Sequence, residues 1–351
     1  MFIIYRSQPI LRLRRSFCVR STVETLSGVR CINKTKLPVL LCAALLFCGC
    51  SGSYDMPYTA DSTISSFRIV NPEAETNTAK SFAEDLCIAD SDINAEELSL
   101  SQSAAAGLFD LSGKNTIYAK NIHARLHPAS LTKVMTAIVA LKHGQPDMML
   151  TASENVHIEE EGAQVIGLKT GDTMTLTQAL NILLIYSAND VAVMIAEGVS
   201  GSTDEFVQMM NDEAHAIGAT NTHFTNPHGL TADDHYTTPY DMYLMMNEAC
   251  KYSLFTEIIH TPEYTTVYHD KNGEEKEVEI QTTNRYLQGS DGTPSGITVI
   301  GGKTGTTSAA GHCLVLLSRD TKSDPYISIV MNTGSRDDMY AYMTRLLEMA
   351  E

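Results

Sequence analysis

Short apolar runs interrupted by turn residues mark both ends of the folded part of this chain. Ala104–Leu111 and Thr116–Lys120 flank Ser112-Gly113-Lys114-Asn115, which predicts a β-hairpin. From Ser130 the period changes. Leu131, Val134, Met135 and Ile138 fall at i, i+3, i+4 and i+7, the stripe of a helix, and Gly144 can end it. Residues 145–250 keep a mostly helical pattern. Thr175 with Gln178, and Ser202 with Glu205, have the spacing of capping boxes ahead of Leu180–Tyr186 and Phe206–Ile217. Strand signals then return: Glu263–Val267 and Lys276–Ile280 around a His269–Gly273 turn, followed by Ile297–Thr306, His312–Ser318 and Tyr326–Asn332. A last helix is predicted from about Asp337. Strands at both ends and helices between them predict an α+β fold: one antiparallel sheet of about five strands built from both termini, flanked by helices, with a helical subdomain inserted at about 145–250.

The N-terminus reads differently. Residues 1–36 carry eight Lys or Arg and one acidic residue, Glu24; the apolar run Leu37–Phe47 and Cys48-Gly49-Cys50 follow. Basic, apolar and small-residue regions in that order are the layout of a secretory signal, here residues 1–49. The apolar run is too short for a bilayer, which needs about 20 residues. Leu46–Cys50 resembles the lipobox of bacterial lipoproteins, with Cys50 as the residue that would be acylated. Residues 51 to about 85 are rich in Ser, Thr, Asn, Asp and Pro without sustained periodicity, so 50–99 is read as a lipid-anchored flexible tether and 100–350 as the folded domain.

Removing residues 1–49 leaves 17 of the 25 basic and 41 of the 42 acidic residues, a net charge of −24. Such a surface repels nucleic acid and anionic polymers. The four cysteines that remain, Cys50, Cys87, Cys250 and Cys313, are too irregularly separated for a zinc pattern or a disulfide framework, and buried free thiols are expected. His223, His228 and His235 are close in sequence, but spacings of 5 and 7 fit no zinc motif, so single packed histidines are expected and neither metal nor cofactor is implied.

Three segments carry the chemistry. Ser130-Leu131-Thr132-Lys133 places a hydroxyl and an amine three residues apart on one helical face. A serine hydroxyl needs a base, and a lysine serves as one only where burial or another cation lowers its pKa from about 10.4. A helix N-terminus also aims free N–H groups at a developing oxyanion. Ser187-Ala188-Asn189 lies between two helices, a position that Ser and Asn also occupy in ordinary capping turns. Lys303-Thr304-Gly305 closes the run from Ile297 and reads as an edge strand. Such a strand can take an extended peptide by β-augmentation, with Lys303 and Thr304 facing it, Gly305 leaving room for its backbone, and the Ser130 and Thr306 N–H groups forming an oxyanion hole. A second Lys-Thr-Gly, Lys169-Thr170-Gly171, precedes Ser187 and is followed by Asp172, so it is read as a turn.

In that order the three segments resemble the active site of penicillin-interacting serine enzymes. With residues 127–140, 187–197, 206–229 and 302–314, and Asn226-Pro227-His228-Gly229-Leu230 followed by His235-Tyr236, the resemblance is to the D-alanyl-D-alanine carboxypeptidases, the low-molecular-mass penicillin-binding proteins, over roughly 100–345. It implies removal of the terminal D-Ala from peptidoglycan stem peptides through an acyl-enzyme on Ser130, with β-lactams trapping the same serine. It further implies Ser187 as a proton relay, Asn189 as a partner of substrate and Lys133, and Arg336 as a carboxylate binder. Many such proteins continue into a C-terminal β-domain and an amphipathic membrane helix; this chain stops soon after its last predicted helix, and an N-terminal lipid is the anchor expected instead, outside the cytoplasmic membrane.

Two rivals share these segments. A class A β-lactamase needs a glutamate and an asparagine on a loop between Ser187 and Lys303, whereas Glu197, Glu205 and Glu213 fall in predicted helices. A non-catalytic cell-wall lipoprotein of the same fold has no need to keep a competent residue at every one of these positions.

Overall fold

The computed structural model describes residues 83–350. The hairpin forms as predicted: β1 (Ala105–Asp110) and β2 (Asn115–Lys120) pair antiparallel, and the Asp110 carboxylate accepts the Gly113 N–H at 2.9 Å in the turn. Helix α1 (Thr132–His143) ends at Gly144. Its pattern predicts one buried face, yet every residue from Thr132 to Ala140 is buried. The polar side is covered by protein rather than water: the Thr136 hydroxyl donates to the Pro227 carbonyl at 2.6 Å.

The middle of the chain supplies β3 (Met149–Thr151), β4 (Thr173–Thr175), α2 (Leu176–Asn181), α3 (Asn189–Ser200), α4 (Thr203–Ala216), α5 (Pro239–Ala249) and α6 (Ser253–Ile259). Thr175 and Gln178 form the full capping box, and the Ser202 hydroxyl caps α4 by accepting the Glu205 N–H. Then come β5 (Glu263–His269), β6 (Glu275–Gln281), the short α7 (Arg285–Gln288), β7 (Thr298–Thr307), β8 (Gly311–Arg319), β9 (Pro325–Thr333) and α8 (Arg336–Glu348).

The main sheet has the order β2-β1-β9-β8-β7, all antiparallel and drawn from both ends of the described chain. Its strands are apolar on both faces because both are covered. Leu314, Leu316 and Val330 pack with Met343, Leu346 and Leu347 of α8, while Val315, Leu317 and Ile329 belong to the larger core around α1. Strand β7 is left at an edge.

Two expectations need correcting. The β5–β6 hairpin does not join the main sheet; it forms a second sheet of order β3-β4-β5-β6. Glu275, Glu277 and Glu279 alternate along the exposed side of β6, and such a face cannot enter a sheet covered on both sides. The tether expected over 50–99 is also too long. Cys87, Ala89 and Leu100 are buried, the Cys87 N–H donates to the Tyr243 hydroxyl at 2.8 Å, and Ile93 bridges to Ala119 of β2. These apolar residues lack a period because they cover an edge singly rather than as an element. The signal assigned to 1–49, Cys50 and the start of the tether lie outside the described residues. Within them no helix is long and apolar enough to cross a membrane. Cys87 and Cys313 are buried and Cys250 half-buried, all as free thiols.

Candidate active site

Ser130 sits on a single 3-10 turn, Ala129–Leu131, that runs directly into α1. The turn is strained at Ala129, whose φ of +48° is one that residues with a Cβ seldom adopt. A chain of hydrogen bonds holds it there. The Thr225 N–H donates to His235 Nδ1 at 3.1 Å, which leaves Nε2–H to donate to Thr132 Oγ1 at 2.8 Å; the Thr132 hydroxyl then donates to the Ala129 carbonyl at 2.8 Å. Burial, together with nearby His127, His223 and Lys133, pushes His235 down to about 3, so the relay keeps a neutral ring.

In the first turn of α1, Lys133 is fully buried. Its Nζ lies 3.0 Å from Ser130 Oγ, 2.6 Å from Asn189 Oδ1 and 2.6 Å from the His228 carbonyl. Burial first, and the charge of Lys303 second, hold its pKa well below the ordinary lysine value, against an opposing pull from Asp190. An ammonium donates to all three oxygens. A neutral amine has two N–H groups and one lone pair. Two of the three partners, the Asn189 amide oxygen and the His228 carbonyl, can only accept. The lone pair of the neutral amine is therefore left for Ser130, whose hydroxyl becomes the donor. That is the arrangement of a base beside a nucleophile.

The His228 carbonyl is presented by the Asn226–Leu230 turn, in which Asn226 Oδ1 accepts the Gly229 N–H at 2.7 Å. Gly229 has φ +89°, and a Cβ there would lie 1.9 Å from the Ala129 carbonyl oxygen. His228 itself is pushed down to about 3 by burial, Lys133 and His235.

Ser187 follows a π-helical turn, Ile182–Tyr186, and adopts φ +74°. The wider turn ends α2 early and swings this buried serine beneath β7, where it accepts a hydrogen bond from Lys303 Nζ at 2.9 Å. Lys303 is fully buried, and burial brings it down to about 7. Thr304 lies on the other side of the pleat, its hydroxyl 2.5 Å from that of Thr283. Gly305 has a different reason from the one its sequence suggests. A Cβ there would stand 3.0 Å from both the Pro128 carbonyl oxygen and the Ser130 nitrogen, so it is the turn carrying Ser130 that needs the space. Thr306 is exposed, its hydroxyl 3.1 Å from His312 Nδ1.

These groups open onto a cleft of about 840 Å³ lined by Ser130, Ser187, Asn189 and Thr304–Ala309. Arg336, exposed on the first turn of α8, also borders it. So does Arg285, but its guanidinium is already paired with Asp337 at 2.8 Å and Asp291 at 3.7 Å. Lys133, Asn189 and Ser130 thus converge directly; Lys303 meets Ser187, and Arg336 stands at the rim. The earlier Lys-Thr-Gly is a turn, with the Lys169 N–H donating to the Asp172 carboxylate at 2.9 Å. His223 is spent on the Asp234 carbonyl at 2.6 Å.

Sequence reasoning missed Thr283, the backing role of the His228 carbonyl and the cleft wall formed by Glu160–Gln164. The Asn-Pro-His-Gly composition signals a tight turn, but nothing in the sequence connects it to Lys133. Thr283 carries no signal.

The profile of the peptidase S11 family, D-alanyl-D-alanine carboxypeptidase, matches residues 93–335. The D-alanyl-D-alanine carboxypeptidase DacF of Bacillus subtilis is 33% identical over 254 residues, 71% of this chain and 62% of that protein. DacC of Escherichia coli, also a D-alanyl-D-alanine carboxypeptidase, is 32% identical over 242 residues, 66% of this chain and 56% of that protein. The chain therefore spans about three fifths of the length of these relatives. Among solved structures, the Streptomyces K15 DD-transpeptidase superposes with a TM-score of 0.66 at 27% identity, over 72% of this chain and 98% of that one. With the sheet built from both ends, the Ser130–Lys133 turn and the Lys303 edge strand on a fold shared with that structure, this chain belongs to the D-alanyl-D-alanine carboxypeptidase family.

Proposed function

We propose that this protein is a serine D,D-carboxypeptidase that removes the terminal D-Ala from peptidoglycan stem peptides. The observation that carries the reading is the environment of Lys133: fully buried, with two acceptor-only partners at 2.6 Å and Ser130 Oγ at 3.0 Å. The peptide lies along the free edge of β7, its terminal carboxylate toward Thr304 and Arg336. Lys133 takes the Ser130 proton as Oγ attacks the carbonyl carbon of the penultimate D-Ala. The Ser130 and Thr306 N–H groups hold the oxyanion, each such donor contributing about 2.7–4 kcal/mol in comparable sites. The C–N bond breaks, and the departing D-Ala amine takes its proton by way of Ser187, which the Lys303 ammonium keeps oriented. Water then attacks the ester and its proton returns through Lys133 to Ser130. A β-lactam enters by the same acylation and leaves more slowly.

The β-lactamase reading loses support from the cleft. Its lining between Asn189 and Thr304 comes from Gly229–Thr231, Gln281–Thr283, Arg285 and Gln288, none of them a carboxylate. Glu213 is tied to Lys142, and Glu197 accepts from Asn155.

The site of action is outside the cytoplasmic membrane, with the lipid on Cys50 as anchor. The basic, apolar and Leu46–Cys50 segments support this. Incorporation of labelled palmitate that disappears in Cys50→Ser tests it. For the activity, D-Ala release from diacetyl-L-Lys-D-Ala-D-Ala by the purified protein is expected, and none from Ser130→Ala. Cleavage confined to cross-linked dimers would make it an endopeptidase, and rapid penicillin turnover without D-Ala release would make it a β-lactamase.

A further inference from the structure

Between β3 and β4 the chain runs from Ala152 to Asp172 with only one short 3-10 turn, Glu154–Val156, of its own. Loops of this length without secondary structure are uncommon in a packed domain unless they have a task. Residues Glu160–Gln164 of this loop form one wall of the cleft. The segment that follows them is held by a buried side chain. Asp190, 1% exposed, takes the Gly167 N–H at 2.9 Å and the Ile166 and Leu168 N–H groups at 3.1 Å each on Oδ2. Its Oδ1 accepts the Val191 N–H at 3.0 Å. Three successive amides converging on one oxygen make an anion nest, and Gly167 enables it with φ +84°. One residue earlier, the Asn189 N–H donates to the Gln164 carbonyl at 2.7 Å. Asp190 also sits in the first turn of α3, where the helix dipole favours its charge.

We propose that Asp190 is a positioning residue: by holding the nest at Ile166–Leu168 it fixes the Glu160–Gln164 wall against the cleft, and so determines how well an extended peptide is gripped. The side chain does not touch the reacting atoms. Asn189 and Asp190 are adjacent, so the residue that turns Lys133 toward Ser130 and the residue that fastens the wall are set by the same helix start. A small β-lactam needs Ser130, Lys133 and the β7 edge; a stem peptide reaches further and needs the wall as well.

The proposal rests on the peptidase reading for its kinetic arm but not for its structural one. Two variants attack the nest from opposite sides. Asp190→Asn removes the charge and one strong acceptor, and Gly167→Ala strains the backbone at φ +84° while a Cβ there would meet no atom within 4 Å. Both are expected to raise KM for a tripeptide or longer stem peptide about tenfold or more, the fold-change of a lost charge-assisted hydrogen bond, with kcat much less affected. Acylation of Gly167→Ala by a fluorescent penicillin should stay within about threefold of wild type, since no reacting group is moved. The structural arm uses a Glu-specific endoproteinase. Exposed Glu159, Glu160 and Glu161 should be cut faster in both variants than in wild type, in protein whose overall unfolding remains cooperative. Equal cleavage of wild type and both folded variants would overturn the proposal, as would a parallel fall of peptide turnover and penicillin acylation in Gly167→Ala. If the wild type releases no D-Ala, the cleavage comparison still decides whether Asp190 fastens the wall.

Discussion

Lys303 donates to the Ser187 hydroxyl across 2.9 Å, and from that position its charge also bears on Lys133. Two buried lysines in one site would ordinarily be a liability. Below about pH 7, where Lys303 keeps its charge, the second cation helps to keep the first neutral, which is the state that can accept a proton.

That coupling has a sign. With Lys133 as the proposed base, acylation needs it neutral, so the rate should rise as pH passes upward through the Lys133 pKa. Burial and Lys303 lower that pKa, while Asp190 opposes them. His228 and His235 also face Lys133, but at about 3 they stay neutral over the working range. Replacing Lys303 by Met removes the neighbouring cation and should move the rising limb of penicillin acylation to higher pH, besides slowing it. A stopped-flow pH profile measures this; a limb that stays put or moves to lower pH would break the link between the two lysines.

Gly229 should tolerate no side chain. A Cβ would overlap the Ala129 carbonyl oxygen at 1.9 Å, and φ +89° is costly for any residue with one. Gly229→Ala is expected to lose about 3 kcal/mol of stability in urea unfolding and to lose penicillin acylation along with it. A stable, fully reactive variant would mean that the turn before Ser130 is not held as described.

The cleft rim separates two arginines that look alike in sequence. Arg285 is committed to Asp337 and Asp291, while no ion pair is made by Arg336 among the described residues. Arg336→Ala should therefore raise KM for a peptide with a free terminal carboxylate by about 10- to 100-fold, with little change for the C-terminal amide. Arg285→Ala should raise it far less. Thr283→Val, which removes the partner of the Thr304 hydroxyl, should cost about 1 kcal/mol of transition-state binding. Steady-state kinetics on paired acid and amide substrates check all three.

Much of this site is legible in the sequence because its parts are local. The Ser130–Lys133 spacing, the Thr175–Gln178 cap and the β7–β8 hairpin each depend on neighbours within a few residues, and each reads from composition and period. The rest depends on where distant segments meet. Ser187 reaches its position through a π turn that no periodicity announces. The tie between Asp190 and the loop at 166–168 joins positions 22 to 24 residues apart, with β4, α2 and the π turn between them. The second sheet escapes a sequence reading because β3 and β4 are three residues each, too short to show alternation. Gly305 reads as making room for substrate, whereas the protein's own turn at 128–130 takes up that room.

The central claim is that Lys133 is the base for Ser130, and intact-mass kinetics of penicillin acylation test it most directly. Wild type should gain one penicillin mass, mapping to the Ser130 peptide, and Lys133→Ala should form that adduct at least about 100-fold more slowly, at the low end of what a positioned general base contributes. An adduct in Lys133→Ala at the wild-type rate, or one on a residue other than Ser130, would contradict the account.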